Sequence, residues 1–314
     1  MQSARYLSAL VWACTLWALL IQTASANDTY QAKLVVDTAI APNTDEQAVF
    51  AEVARLADAA RAQLAGAGLT VATAPEWDRI GAVRTVLYEP GPWNEGRPFA
   101  YDHTDPLGTK VENKLLATYL RTRRGNCVSM PILYAILLEE LGVPVTLGQA
   151  PLHFFVVWER SDAEGGPVFL EATSGGDPAR PVWYEQNSII ADQALANGLY
   201  LRPLTKPERD AAMRETLVQH LMAEGRYEEA IEEIDAVLEA HPAFAGMLLE
   251  KANAIYELLD ERFVTRWPDA NDVPEELRGE LVALMTQNRE LAERAYRMGF
   301  RDQPPPPEQA RMKE

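Results

Sequence analysis

The strongest constraint on the fold is the run of residues 128–141. Only Ser129, Tyr134, Glu139 and Glu140 interrupt an otherwise apolar stretch. A helix that is apolar on every side has no solvent face, so it belongs at the centre of a core with the other elements arranged around it. Arg124-Gly125-Asn126-Cys127 stands directly before it. A thiol at that mouth meets the unpaired N–H groups of the first turn and the positive end of the helix dipole, and both favour thiolate over thiol. Two helix starts are open. With Asn126 as N-cap, Pro131 falls just past the first turn, where its missing N–H is costly. With Ser129 as cap, Pro131 sits at the second helical position and Cys127 lies just ahead of the helix. Both put the sulfur near the amino end. Taken alone, Cys127 reads as a small buried hydrophobe, as free cysteines often are. The residues downstream change that reading.

The amino terminus has the form of a secretory signal. Arg5 supplies a positive start, residues 6–21 an apolar segment, and Ala24-Ser25-Ala26 a small-x-small cleavage site. The apolar segment is short for a membrane-spanning helix. Cleavage after Ala26 predicts a secreted or periplasmic protein with no stable membrane span. It also removes Cys14, so Cys127 becomes the one thiol of the mature chain. A lone thiol in an oxidising compartment is a liability unless it has a use. The net charge of the chain is −17. That acidity argues against nucleic acid, whose phosphates require a broad cationic face. It also disfavours an anionic membrane surface.

Periodicity sketches the rest. Residues 31–40, with Leu34, Val35 and Val36, read as a strand. Residues 45–65 read as an amphipathic helix, with Val49, Phe50, Val53, Leu56, Ala57, Ala60 and Leu64 facing inward, ended by Gly66 and Gly68. Residues 80–88 fit a short helix or a strand. Residues 89–108 are rich in proline and glycine and contain Trp93, Tyr101 and His103; so long an irregular stretch usually serves a site. Residues 110–124 read as a helix ending at Gly125. Residues 145–149, 153–158 and 167–173 read as strands, the last two forming an antiparallel hairpin across a polar loop. Centring that hairpin on Asp162 sets His153 opposite Glu171 on one face, and a slip of one residue would separate them. Residues 174–178 then end the sheet. From residue 206 to about 299 the chain reads as helical. Leu217, Leu221, Gly225, Tyr227, Ala230, Ile234, Val237 and Pro242 fit one tetratricopeptide-like repeat with a degenerate partner after it. The proline-rich end reads as disordered.

Cys127, His153 and Glu171 are the three groups a thiol hydrolase or acyltransferase needs. The thiolate attacks a carbonyl, the imidazole moves the proton, and the carboxylate orients the ring. Arg124-Gly125-Asn126-Cys127-Val128-Ser129, then Leu141-Gly142-Val143-Pro144, Pro151-Leu152-His153-Phe154-Phe155-Val156 and Leu170-Glu171-Ala172-Thr173-Ser174-Gly175-Gly176 resemble the transglutaminase-like superfamily. This is a papain-like group of cysteine enzymes, and the likeness covers roughly residues 100–180. It implies an α+β fold with the nucleophile on a central helix packed against an antiparallel sheet, followed here by an all-α, tetratricopeptide-like region. It implies Cys127 as nucleophile, His153 as acid and base, and Glu171 as the orienting group. Many members carry aspartate at that third place. It also implies an oxyanion hole, with the Cys127 N–H as one donor and Tyr101, Asn126 or Gln149 as candidates for the second. His103 fits a loop or substrate groove better than a catalytic place.

The expected organisation is a signal at 1–26, a catalytic domain at 27–204, a helical region at 205–300 and a tail at 301–314. The expected activity is cleavage or transfer at amide bonds of a protein or peptide, resolved by water or by an amine. No metal-ligand spacing or phosphate-binding loop is present in the sequence, so no cofactor is expected. A rival expectation is a non-catalytic scaffold whose helical region docks a protein partner.

Overall fold

The computed structural model describes residues 28–161 and 166–304. The expected signal, the hairpin tip at Asp162 and the tail beyond residue 304 lie outside the described residues. Five helices precede the main sheet: α1 (Asp28–Ile40), α2 (Glu46–Gly66), α3 (Glu76–Tyr88), α4 (Leu116–Thr122) and α5 (Ser129–Glu140). The apolar run is α5, and every side chain from Ile132 to Leu138 is fully buried. Four helices, α1 to α4, touch its flanks, and the strands β3 (Val145–Ala150) and β4 (His153–Trp158) cover the remaining side. With β5 (Val168–Glu171) and β6 (Asp177–Ala179), these form an antiparallel sheet in the order β3-β4-β5-β6. Alternation along the strands sends Val145, Leu147, Phe154, Val156 and Leu170 to the α5 side. Phe155, Val157 and Phe169 face the other way, onto Tyr184 of α6 (Pro181–Asn187). A separate parallel pair, β1 (Ala100–Tyr101) and β2 (Arg124–Gly125), ties the long loop to the residues before Cys127.

Several expectations are corrected. Residues 31–40 form helix α1, not a strand. Its buried side chains are Thr29, Tyr30, Lys33, Val36 and Asp37, a helical spacing carried mostly by polar residues, while Val35 is exposed. Residues 80–88, open between helix and strand, belong to helix α3. The predicted helix 110–124 is broken: a 3₁₀ turn at Val111–Lys114 precedes α4. Phe50 points out to solvent. The stretch after Glu171 does not end the sheet, because Asp177–Ala179 returns to pair with β5.

After α7 (Asp192–Ala196) the chain is helical as expected: α8 (Lys206–Met213), α9 (Glu215–Ala223), α10 (Tyr227–Ala240), α11 (Ala245–Leu259) and α12 (Glu275–Met298). This region is not a detached module. Ala212 and Met213 are part of the same core as α5. Helix α1 is wedged between them. Its Lys33 and Asp37 form a fully buried ion pair at 2.6 Å, and Asp37 Oδ2 accepts the Leu116 N–H at 2.7 Å. Glu139 of α5 accepts from Thr29 N at 3.3 Å and from Arg209 Nη1 of α8 at 3.2 Å. Among the described residues no helix is long and apolar enough to cross a membrane.

Removing one member of a buried ion pair strands the other charge. Asp37→Ala also orphans the Leu116 N–H, so it is expected to cost about 3–5 kcal/mol. Urea unfolding checks this, and a loss below about 1 kcal/mol would show that the pair is dispensable.

Candidate active site

The Cys127 loop is held by close backbone packing. A Cβ on Gly125 would lie 2.6 Å from the Tyr119 ring and 2.8 Å from Ser129 Oγ, so only glycine fits there. Neither predicted helix start is quite right. The first helical residue is Ser129, the N-cap position is Val128, and Pro131 is the third residue of the helix. Asn126 nevertheless caps from outside: its Oδ1 accepts from Val128 N at 3.0 Å and Ser129 N at 3.2 Å. Ser129 Oγ in turn accepts from Asn126 N at 3.1 Å and donates to Asn113 O at 3.1 Å. Cys127 therefore sits just ahead of the central helix, half-buried and unpaired.

A backbone bond from Phe154 N to Cys127 O, 3.3 Å long, docks the start of β4 against this loop. It brings His153 beside the thiol. Just before it, Leu152 has φ 57° and is exposed, and its carbonyl accepts from Cys127 Sγ at 3.4 Å. His153 Nε2 and Glu171 Oε2 are 2.8 Å apart. That leaves Nδ1 as the ring nitrogen for the sulfur. The hairpin register is shifted by two residues from the expected one: Val156 pairs with Leu170 and Val157 with Phe169. A two-residue shift preserves the face, so His153 and Glu171 meet diagonally instead of directly across.

Glu171 is buried and fully engaged. Oε1 accepts from Thr173 N at 3.0 Å and Thr173 Oγ1 at 2.5 Å, and Oε2 accepts from Tyr184 Oη at 3.0 Å as well as facing His153. Burial alone would raise its pKa, but the hydrogen bonds and charge of His153 and the Thr173 donors outweigh that and hold it low. Burial likewise works against a charged His153 ring. Hydrogen bonds and charge from Cys127 and Glu171 overcome it and raise the ring from 6.5 to about 9. The imidazolium form is thus favoured at neutral pH, 19 % exposed beside the sulfur. Thr173 and Tyr184 were missed in the sequence. Thr173 follows Glu171 closely enough to have been found as a local side-chain-to-backbone capping pattern. Tyr184 gave no local signal, since it arrives from a helix on the far side of the sheet.

Two cavities flank His153 and Tyr101. One, of about 520 Å³, is lined by Tyr88, Phe99, His103, Met130 and Thr173. The other, of about 540 Å³, contains Cys127 and runs toward the helical region. Tyr101 is thus at the site, but its hydroxyl donates to Pro106 O at 2.8 Å. Gln149 lines the second cavity, with Oε1 2.9 Å from His241 Nε2. Asn126 is fully buried beneath the loop as its brace. His103 packs beside Tyr101 with ring centroids 5.5 Å apart, on the groove wall. Among the described residues the Cys127 N–H has no acceptor.

A half-buried thiol at the mouth of a central helix, an imidazole on the adjoining sheet and a buried carboxylate behind it thus stand together at one place. Residues 47–182 match the family model of the transglutaminase-like superfamily, whose members are generally cysteine peptidases or acyltransferases acting on proteins. The match runs from α2 to the first residues of α6, and takes in Cys127, His153 and Glu171. No curated protein and no solved structure matches the chain.

Proposed function

We propose that the protein is a cysteine hydrolase or acyltransferase acting on amide bonds of a protein or peptide. The observation that carries this reading is the 2.8 Å contact between His153 and Glu171 with Cys127 on the open side of the same ring. Cys127 Sγ attacks the amide carbonyl while the developing oxyanion takes up the free Cys127 N–H. His153 passes its proton to the leaving nitrogen, the C–N bond breaks, and a thioester remains. Water or an amine then adds to the thioester, giving its proton back to His153, and the C–S bond breaks to restore the thiolate beside the imidazolium. Glu171 keeps Nε2 occupied so that Nδ1 faces the sulfur throughout. The tetratricopeptide-like likeness of α9 to α11 fits a role in presenting substrate, because Phe244 and Gly246 wall the cavity that contains Cys127.

Iodoacetamide at pH 6 tests the pairing without a known substrate. Native protein is expected to gain one adduct on Cys127, roughly tenfold or more faster than His153→Ala. Equal rates in the two proteins would refute an activated thiol.

A further inference from the structure

The cavity that starts at Cys127 ends against the helical region, and its far end is charged. Lys114, at the end of the 3₁₀ turn before α4, lines it while only 8 % exposed. Its ammonium donates to Gln219 Oε1 of α9. Gln219 Nε2 donates in turn to Glu215 Oε1 at 3.2 Å. Both Glu215 and Gln219 line the same cavity. An ammonium carries three N–H donors, and this one has a single hydrogen-bond acceptor among the described residues. A nine-tenths buried cation facing an open cavity with donors to spare is costly unless something anionic completes it.

The neighbours decide the sign of the ligand. Burial pulls the Lys114 pKa down, and the charges of Glu215, Cys127 and Asp105 oppose that while Lys33 adds to it. Burial pushes Glu215 up to about 7, with Lys114 lowering it and Glu250 raising it. Near neutral pH roughly half of Glu215 is therefore protonated and can donate a hydrogen bond. A carboxylate entering here meets two donors, Lys114 and the protonated Glu215. An ammonium would be set against Lys114. Phe244, just ahead of α11, and Phe300, Gln303 and Pro304 of the C-terminal segment line the same groove. Gln303 is itself fixed there by paired bonds to the Ile189 backbone, at 2.8 and 3.0 Å.

We propose that this end of the cleft binds the free α-carboxylate of a peptide, so that the enzyme acts on amide bonds close to the carboxyl end of a chain. The inference rests on the cysteine-enzyme reading above, and it adds the substrate class. Lys114 is then a specificity residue: it holds the product side of the substrate and takes no part in proton transfer.

Three bromoacetyl dipeptides test it by alkylating Cys127, with bromide leaving as the C–S bond forms. They are bromoacetyl-Ala-Ala with a free carboxylate, the same dipeptide as its C-terminal amide, and bromoacetyl-Ala-Glu amide, which carries its carboxylate on a side chain. The free acid is expected to label native protein roughly tenfold or more faster than the amide, as befits one charge-assisted hydrogen-bonded pair. Lys114→Met should erase that ratio, and Lys114→Arg should keep part of it. Equal labelling of native protein by acid and amide overturns the proposal without any variant, and leaves the cysteine-enzyme reading intact. A ratio that survives in folded Lys114→Met also overturns it. Faster labelling by the glutamate amide than by the free acid would assign the site to an acidic side chain and overturn the chain-end selectivity. Native protein that takes up none of the three would remove both readings together.

Discussion

Cys127→Ala protein is expected to lose turnover of peptide substrate by roughly 10⁴-fold or more while keeping its melting behaviour. The sulfur is half-buried, approaches the Leu152 carbonyl at 3.4 Å and faces the His153 ring. Removing it opens no cavity in the core and leaves the part-exposed His153 nitrogen to water, so the stability change should stay within about 1 kcal/mol. His153→Ala should lose nearly as much activity alone, and the double variant little more, because thiol and imidazole act as a unit. The ring also sets the pH response. Folding raises its pKa from 6.5 to about 9. The proton that leaves with the amine is therefore in place at neutral pH, and turnover should fall as pH rises through about 9. Its contribution to stability has the same sign. It is fully present below 6.5 and is lost as the pH climbs through about 9. Single-turnover rates across pH on native protein and both variants, with chemical unfolding over the same range, check each part. A Cys127→Ala protein that still cleaves would end the proposed chemistry.

Glu171→Ala should damage both function and fold. The carboxylate accepts from Thr173 N, Thr173 Oγ1 and Tyr184 Oη and holds His153. Alanine leaves those groups unmatched in a buried setting, at a cost of about 3 kcal/mol. It also frees the ring to turn, which should lower turnover by roughly 10³-fold. Glu171→Gln separates the two effects. The amide keeps the volume and can still accept from Thr173, so most of the stability should return. It has no charge to support an imidazolium, so the activity should not. Because folding lowers the pKa of this carboxylate, its contribution to stability is present above the ordinary carboxylate range and disappears on acidification through the lowered value. Chemical unfolding and turnover on the two variants make the comparison. Recovery of full activity in Glu171→Gln would show that the residue only fills space.

The centre of this molecule was legible because α5 has a composition with one physical solution: a helix with no polar face must be surrounded. His153 and Glu171 were legible because strand alternation puts them on one face at any even shift of the hairpin, so a register wrong by two residues still brought them together. Helix α1 was not legible, since its inward face is Lys33 and Asp37, and a pattern search looks there for hydrocarbon. Tyr184 and Lys114 escaped for another reason. Each reaches the site from an element remote in sequence, and each has a role only once Glu171 or Glu215 is beside it. The predicted helix at 110–124 failed at Leu115, next to the Leu116 N–H that Asp37 takes up.

The position of α1 has a consequence for biogenesis. Its partners lie in α4, α5 and α8, through Asp37 with Leu116, Thr29 with Glu139 and Asp28 with Lys206, so the earliest segment of the described chain is not fully docked until residues near 206 have been synthesised. Contacts of such wide sequence separation form slowly. The Cys127 groove is shaped partly by helices made later still, so a nascent or truncated chain would carry the thiol without the finished groove around it. The groove around Cys127 would then be complete only when the whole chain has been made.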